Sequence, residues 1–327
     1  MSLYAIGDLH LCLGAYKPMD VFGGRWEGYM DKLREGLSVI QPGDTTVLLG
    51  DLSWALGIGQ AEKDFAFIHE IPGRKIILKG NHDYWWTTAA KFYKFCAAHG
   101  WDDMFILNNN CYYYGDTALC GTRGWFYEQE QEGTHDEKIF RRELGRLEAS
   151  FKAAGEHEKM CFLHYPPLYQ GYRCPEIIAL LEQYGVERCY YGHLHAESHR
   201  LALQGNWRGI EFQLVSADYV NFKPVKILDL AENLIRLSGY EPYVDIDIVE
   251  TGLRPGEKLY EELQHKNETL VKTEHPRIFG FVSEPPSFER MQGVIDEILA
   301  TADKRSSNDL KRFILEYVPE YKPQINE

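Results

Sequence analysis

Short apolar runs recur along the first two-thirds of the chain, and each stops at a polar cluster. Residues 3–6, 46–49, 75–78, 161–163 and 189–191 read as strands. Apolar residues at helical spacing predict helices over 26–39, 61–69, 87–98, 135–153 and 175–184. A further strand-rich block, 104–120, contains Asn108-Asn109-Asn110 and Tyr114-Gly115-Asp116, both expected as hairpin connections. The periodicity predicts an α/β fold. The pattern changes near residue 226. Residues 227–239 read as an amphipathic helix stopped by Gly239, with Leu228, Ala231, Leu234, Ile235 and Leu237 on one face. Residues 244–248 alternate as a strand should, and Leu253 to Glu262 reads as a turn opening a short helix. The expected boundary therefore divides a domain of 1–225 from a tail of 226–327.

The polar clusters carry the chemistry. In order they are Gly7-Asp8-Leu9-His10, Gly50-Asp51, Gly80-Asn81-His82-Asp83, His164 and Gly192-His193-Leu194-His195. Carboxylate, imidazole and amide oxygen bind hard or borderline divalent metals. A parallel sheet delivers its strand ends to one crevice, so five such ends imply one polynuclear metal site. Asp8 and His10 are two apart, which puts both on one face of an extended segment; His193 and His195 repeat the arrangement. Glycines before Asp8, Asp51, Asn81 and His193 let the backbone turn sharply and a ligand approach. An Asp can bridge two cations, and an Asn adds an oxygen without adding charge.

In this order the motifs resemble the calcineurin-like metallophosphoesterases, over about residues 1–225. The resemblance implies a four-layer αββα sandwich, two mixed sheets between helices. It implies two divalent metal ions, from among Mn, Fe, Zn, Co and Mg. Asp8, His10, Asp51 and His195 would hold the first; Asp51 (bridging), Asn81, His164 and His193 would hold the second. His82 would serve as acid or transition-state stabiliser at the leaving group, with Asp83 placed to orient it. The reaction expected is hydrolysis of a phosphomonoester or phosphodiester of a small molecule by metal-bound hydroxide, with no Ser or Cys nucleophile. The chain has 12 His. The seven outside the motifs (His69, His99, His135, His157, His199, His265 and His275) read as structural or solvated.

The formal charge of −14 counts against general nucleic-acid binding, which needs a basic surface. A nuclease with a local basic cleft is the remaining version of that idea. Arg123, in Gly121-Thr122-Arg123-Gly124-Trp125, is the candidate substrate contact; an exposed turn is the alternative. Tyr84, Trp85 and Trp86 either line a pocket or pack at the start of a helix, with at least one Trp packed. The seven Cys are scattered, odd in number and without a Cys-x-x-Cys pair, as reduced thiols would be. Cys161 and Cys189 read as core residues, and Cys12 as a bystander beside Asp8 and His10. No apolar run approaches the roughly 18 residues of a membrane span. The residues before Asp8 leave no room for a cleavable signal peptide. The expectation is a cytoplasmic protein with no membrane partner.

The tail resembles the C-terminal portion of nucleotide-sugar 4,6-dehydratases of the polysaccharide-biosynthesis type. The likeness runs from about Val225 to Pro286 and is densest at Arg254-Pro255-Gly256-Glu257-Lys258. The Gly-x-Gly-x-x-Gly turn and the Tyr-x-x-x-Lys pair in its proper context are both missing, so no dehydratase activity is expected. A small α/β lobe with a packing role is expected, or one in which Arg254 retains a phosphate contact. The alternative to a hydrolase is a nucleotide-sugar-binding or polysaccharide-pathway protein that uses the phosphoesterase fold as a scaffold.

Overall fold

The computed structural model describes residues 1–125, 134–249, 269–272, 279–282, 287–318 and 321. It divides into two compact units, Met1–Ile248 and Val249–Glu327.

Two mixed sheets build the first unit. One contains β1 (Ser2–Ile6), β2 (Thr45–Leu48), β3 (Arg74–Ile77) and β4 (Met104–Ile106), all parallel. The chain then crosses to the second sheet with β5 (Cys111–Tyr114), β6 (Thr117–Thr122) and β7 (Lys159–Leu163). A small separate hairpin, β8 (Leu168–Tyr169) and β9 (Tyr172–Arg173), follows. β10 (Arg188–Tyr191), β11 (Gly205–Trp207) and β12 (Ile210–Leu214) complete the second sheet, in the order β11-β12-β10-β7-β6-β5. β13 (Val225–Asp229) returns to the first sheet and pairs antiparallel with β1. Helices α1 (Tyr29–Leu37), α2 (Glu62–Glu70), α3 (Ala89–Ala98), α4 (Thr134–Ala153) and α5 (Pro175–Gln183) fall where the spacing predicts them.

Strand alternation sorts the side chains into three cores. Leu3, Ala5, Val47 and Ile76 meet Leu119, Met160, Phe162 and Tyr190 between the sheets. Their alternates Tyr4, Ile6, Leu48 and Ile77 pack with residues of α1, α2 and α3, among them Leu33, Phe65 and Phe92. On the second sheet Cys161, Leu163, Cys189 and Tyr191 pack with Leu147, Phe151, Ile177 and Leu181 of α4 and α5. These three cores separate four layers, helix, sheet, sheet, helix, as the resemblance implies. Cys161 and Cys189 are core residues, paired in register across β7 and β10. Among the described residues no helix is long and apolar enough to cross a membrane.

Four expectations need correcting. The turn at Asn108 to Asn110 joins β4 to β5, which lie in different sheets, so it is a crossover and not a hairpin; only Tyr114 to Asp116 closes a hairpin. The helix expected from Ile227 begins at Leu230, as α6 (Leu230–Leu237), because Val225–Asp229 is β13. Ile227 and Leu228 pack against the inter-sheet core, and Leu234 of α6 is exposed. The boundary expected at 225/226 thus cuts a strand of the first sheet, and the first unit continues to Ile248. Residues 243–245 form a turn where a strand was expected, with Val244 exposed.

The second unit contributes a hairpin of β14 (Thr269–Lys272) and β15 (Phe279–Val282), then α7 (Phe288–Thr301) and α8 (Ser307–Tyr317). Arg254 and its motif, and the turn and helix expected there, lie outside the described residues.

Candidate metal centre

Every motif stands just past the C-terminal end of a parallel strand: Asp8 and His10 after β1, Asp51 after β2, Asn81 after β3, His164 after β7, His193 and His195 after β10. The turns off these strands are tight. Asp8, His10, Asp51 and His193 have φ of 59°, 46°, 50° and 73°. That left-handed region is costly for a side-chain-bearing residue and persists only where its surroundings hold it. Here the motifs hold one another. The Asp8 N–H donates to the Gly50 carbonyl and the His10 N–H to the Asp51 carbonyl, both at 2.9 Å. The glycines expected to admit a ligand do so beneath the carboxylates. A Cβ on Gly80 would stand 2.0 Å from Asp51 Oδ1, and one on Gly192 2.5 Å from Asp8 Oδ2.

The side chains converge. His195 Nε2 lies 3.3 Å from His10 Nε2 and 3.6 Å from Asp8 Oδ1. Asp51 Oδ2 lies 3.9 Å from His10 Nε2 and 3.6 Å from His164 Nε2. The Asn81 amide oxygen is 2.7 Å from His164 Nε2 and 3.0 Å from His193 Nδ1. Asp8, His10 and His195 form one group able to hold an ion, and Asp8, Asp51 and His164 form another. All seven predicted ligands are therefore brought together, and Asp8 as well as Asp51 lies between the two groups. Each carboxylate uses one oxygen to fix a neighbouring loop and turns the other inward. Asp8 Oδ2 accepts from His193 N at 2.9 Å, and Asp51 Oδ1 accepts from His82 N at 2.7 Å. The ring tautomers are set from behind. His164 Nδ1 donates to the Leu49 carbonyl at 2.9 Å and His195 Nδ1 to Asp218 Oδ1 at 2.8 Å, leaving each Nε2 facing the centre.

The electrostatics fit a cation. Burial lowers the pKa of His10, His164 and His193, the last to about 3, so these rings are neutral and have a lone pair to donate. Burial, with the charges of Asp83 and Asp8, pushes the Asp51 carboxyl well above its usual range. Asp8 moves the other way: burial opposes ionisation, but His195, His164 and His10 hold its carboxyl low. His195 is the exception among the rings. Burial lowers its pKa, yet Asp218 and Asp8 raise it to about 10. Asp8 Oδ1 is buried without a hydrogen-bond partner among the described residues. An ionised oxygen in that state is costly unless a positive charge faces it, and in the metal-free chain protonated His195, 3.6 Å away, supplies that charge. The donor set, two carboxylates, four imidazoles and one amide, fits divalent metal.

Two residues play parts that the sequence reading did not give them. Asp83 does not orient His82. Its carboxylate accepts from the backbone N–H groups of Gly80, Asp51, Leu52 and Ser53 and from the Trp85 indole, at 2.7 to 3.3 Å. Those bonds occupy both oxygens and tie together the loops bearing Asp51 and Asn81. His82 Nδ1 has no hydrogen-bond partner among the described residues. Its ring lies 4.6 Å from Trp54 and 5.9 Å from His10. The second residue is Asp218, just after β12. It holds His195 and lies 3.3 Å from His199 Nε2, so of the two readings of His199, structural or solvated, the structural one applies. The available signal was Asp218's place at a sixth strand end.

Arg123 follows β6 at the same edge. Its guanidinium pairs with buried Glu143 at 3.4 Å and lies 6.0 Å from the Tyr165 ring, which itself packs on His193. Lys79 shares this environment: burial and the charges of Arg123 and Arg146 lower its pKa. Trp85 is buried, Trp86 packs against the core, and Tyr84 is exposed.

A family model described as calcineurin-like phosphoesterase matches residues 1–197. A second, described as polysaccharide biosynthesis protein, matches residues 216–283. The chain is 58% identical over 57 residues to the capsular polysaccharide biosynthesis protein CapD of Staphylococcus aureus. It is 55% identical over 56 residues to the probable polysaccharide biosynthesis protein EpsC of Bacillus subtilis. Each stretch is 17% of this chain and only 9% of the relative. Among solved structures, a protein of unknown function from Aquifex aeolicus aligns with a TM-score of 0.38 at 16% identity, over 72% of this chain and 98% of its own.

Proposed function

The chain belongs to the calcineurin-like phosphoesterase family, and from that premise we propose that it is a two-metal hydrolase of a small phosphoester. The observation that carries the proposal is the convergence of seven metal-binding side chains about the buried carboxylates of Asp8 and Asp51. Asp8, His10, Asp51 and His195 would hold one ion; Asp51, Asn81, His164 and His193 would hold the other. When bound, such a pair neutralises phosphate charge, orients the ester and makes water nucleophilic near neutral pH. The protein's own groups do the rest. His82 faces the centre from outside the ligand set. Burial, with His164 and Lys17, lowers its pKa to about 4. A neutral imidazole suits a hydrogen bond to the departing oxygen better than outright proton donation. Arg123 and Lys79 add positive charge on the side of His193, where they favour an anionic substrate. Seven unpaired thiols favour a reducing compartment such as the cytoplasm.

The test is elemental analysis of protein purified without chelator, followed by a panel of phosphomonoesters and phosphodiesters with Mn, Fe, Zn, Co or Mg. About two ions per chain and hydrolysis of some panel member are expected, and Asp51→Asn should remove most of both. The match over 216–283 favours one other reading, a polysaccharide-pathway protein that binds a nucleotide-sugar. A folded, metal-loaded protein that binds a nucleotide-sugar and hydrolyses nothing would decide for it.

A further inference from the structure

Beside the centre, on the side of His10, His82 and His195, lies a cleft of about 160 Å³ walled by Met19, Phe22, Trp26 and Trp54. We propose that this cleft seats a planar ring in the organic part of the substrate, which makes the substrate a phosphoester of a nucleoside or an aryl alcohol. The inference deepens the phosphoesterase reading and rests on it for its catalytic consequence.

Three observations carry it. The first is the chemistry of the walls. Three aromatic side chains and a thioether offer apolar surface and few hydrogen bonds, although Trp54 is itself stacked on His10 at 4.9 Å, so Phe22 and Trp26 supply the free aromatic surface. A sugar or polyol placed there would lose water from its hydroxyls without replacement, whereas a flat ring would lose little. The second is rigidity. Trp26 is buried and packs edge-on against Tyr29 and Phe222, so its position is set by the core. The Trp54 indole N–H points to Met19 Sδ at 3.1 Å, and the Lys17 ammonium stands 3.2 Å from its ring centroid. The walls are thus preformed, as a binding cleft requires. The third is size and place. Pockets for whole drug-sized ligands run to roughly 300–1,000 Å³. This cleft holds only part of a molecule, and His10, His82 and His195 form its inner end. A phosphoester anchored at the centre would therefore direct its leaving group past His82 and into the cleft. Phe22, half exposed at the mouth, leaves apolar surface in water that a seated ring would cover.

Two measurements test this. The first compares kcat/KM for a nucleoside 5′-monophosphate and for ribose 5-phosphate, which share the same departing oxygen and differ by the ring. At least a tenfold preference for the nucleotide is expected, falling toward parity in Phe22→Ala. The second needs no turnover. Saturation-transfer difference NMR on wild type and Phe22→Ala, with adenosine, phenol and ribose at equal concentration, should show ring protons in wild type alone and no ribose signal. Which of adenosine and phenol gives the stronger signal separates nucleoside from aryl alcohol. A kinetic ratio below twofold, or ring signals that persist unchanged in Phe22→Ala, overturns the proposal. Ring binding without hydrolysis of any ester would retain the cleft's role and refute the phosphoesterase reading. Hydrolysis without ring preference would do the reverse. Phe22 is exposed and outside the cores, so the variant's fold is not at stake.

Discussion

Replacing Asp83 with Asn separates two accounts of this residue. If Asp83 served His82, as its neighbouring position suggests, Asp83→Asn would slow turnover and leave the fold and the metals alone. The structure gives the opposite result. Oδ2 accepts from Gly80 N at 2.7 Å and Asp51 N at 2.8 Å. Oδ1 accepts from Leu52 N at 2.9 Å, Ser53 N at 3.3 Å and Trp85 Nε1 at 2.8 Å. An amide has one acceptor, so in either orientation its NH₂ faces at least two N–H donors. Two orphaned buried donors cost about 1–3 kcal/mol each, or about 2–6 kcal/mol together. For a unit of this size that is a fall in Tm of about 4–24 °C. Against a typical total of about 5–15 kcal/mol, most molecules stay folded at room temperature. The loops of Asp51 and Asn81 lose their shared anchor at the same time, so metal affinity should fall with Tm. Thermal unfolding followed by circular dichroism, with elemental analysis of the same sample, reads both. A variant with wild-type Tm and metal content but reduced kcat would refute this account and restore Asp83 to His82.

Three further outcomes are expected. In metal-free protein the His82 pKa of about 4 lies below the unfolded value near 6.5, so the unfolded chain takes up the proton first and His82 subtracts stability as pH falls through that window. His82→Gln should therefore lose less Tm than wild type between pH 7 and 4.5, and parallel profiles would contradict the burial. Asp218→Asn, which weakens the hold on His195, should lower metal affinity by about 10–100-fold in a competitive chelator titration; unchanged affinity would remove Asp218 from the site's support. A truncation ending at Ile248 should keep wild-type metal content, whereas one ending at Lys226 breaks the pairs Ser2↔Asp229 and Leu3↔Leu228 and should melt several degrees lower; equal melting would return the boundary to residue 225.

What the sequence disclosed follows the range of the interactions involved. The ligands were legible because each stands directly after an apolar strand, and strand ends in a parallel sheet converge whatever the loops do. The layers were legible only through the motifs' resemblance, because the apolar strands read as unbroken runs and their periodicity predicts no more than an α/β fold. β13 was not, because its partner β1 is more than 220 residues away and Ile227-Leu228 run unbroken into α6, a pattern that reads locally as one helix. Asp83 was misassigned because adjacency to His82 is visible in sequence, while its bonds to Asp51 and Leu52 reach back across some 30 residues. Asp218 follows a strand but carries no motif of its own, so nothing local marks it as the partner of His195, 23 residues away.

The carboxylates also explain why the motifs take the form they do. Asp8 and Asp51 each need two acceptor oxygens with different duties, one bonded to a neighbouring backbone N–H and one turned to the centre. An Asn could perform only one of these duties, and a Glu would carry the pair of oxygens a carbon further from the backbone. The short side chain reaches the centre only because its own residue adopts a left-handed turn and the backbone opposite carries no Cβ. Gly80 beneath Asp51 and Gly192 beneath Asp8 are thus as much part of the site as the ligands above them. Four left-handed residues at about 1–3 kcal/mol each would be a heavy load for loops held by packing alone. Here every strained turn is bonded to another motif, so no single loop can relax without moving a ligand of its neighbour. This mutual restraint keeps the seven candidate ligands converging, and it is the physical reason the motifs occur as a set.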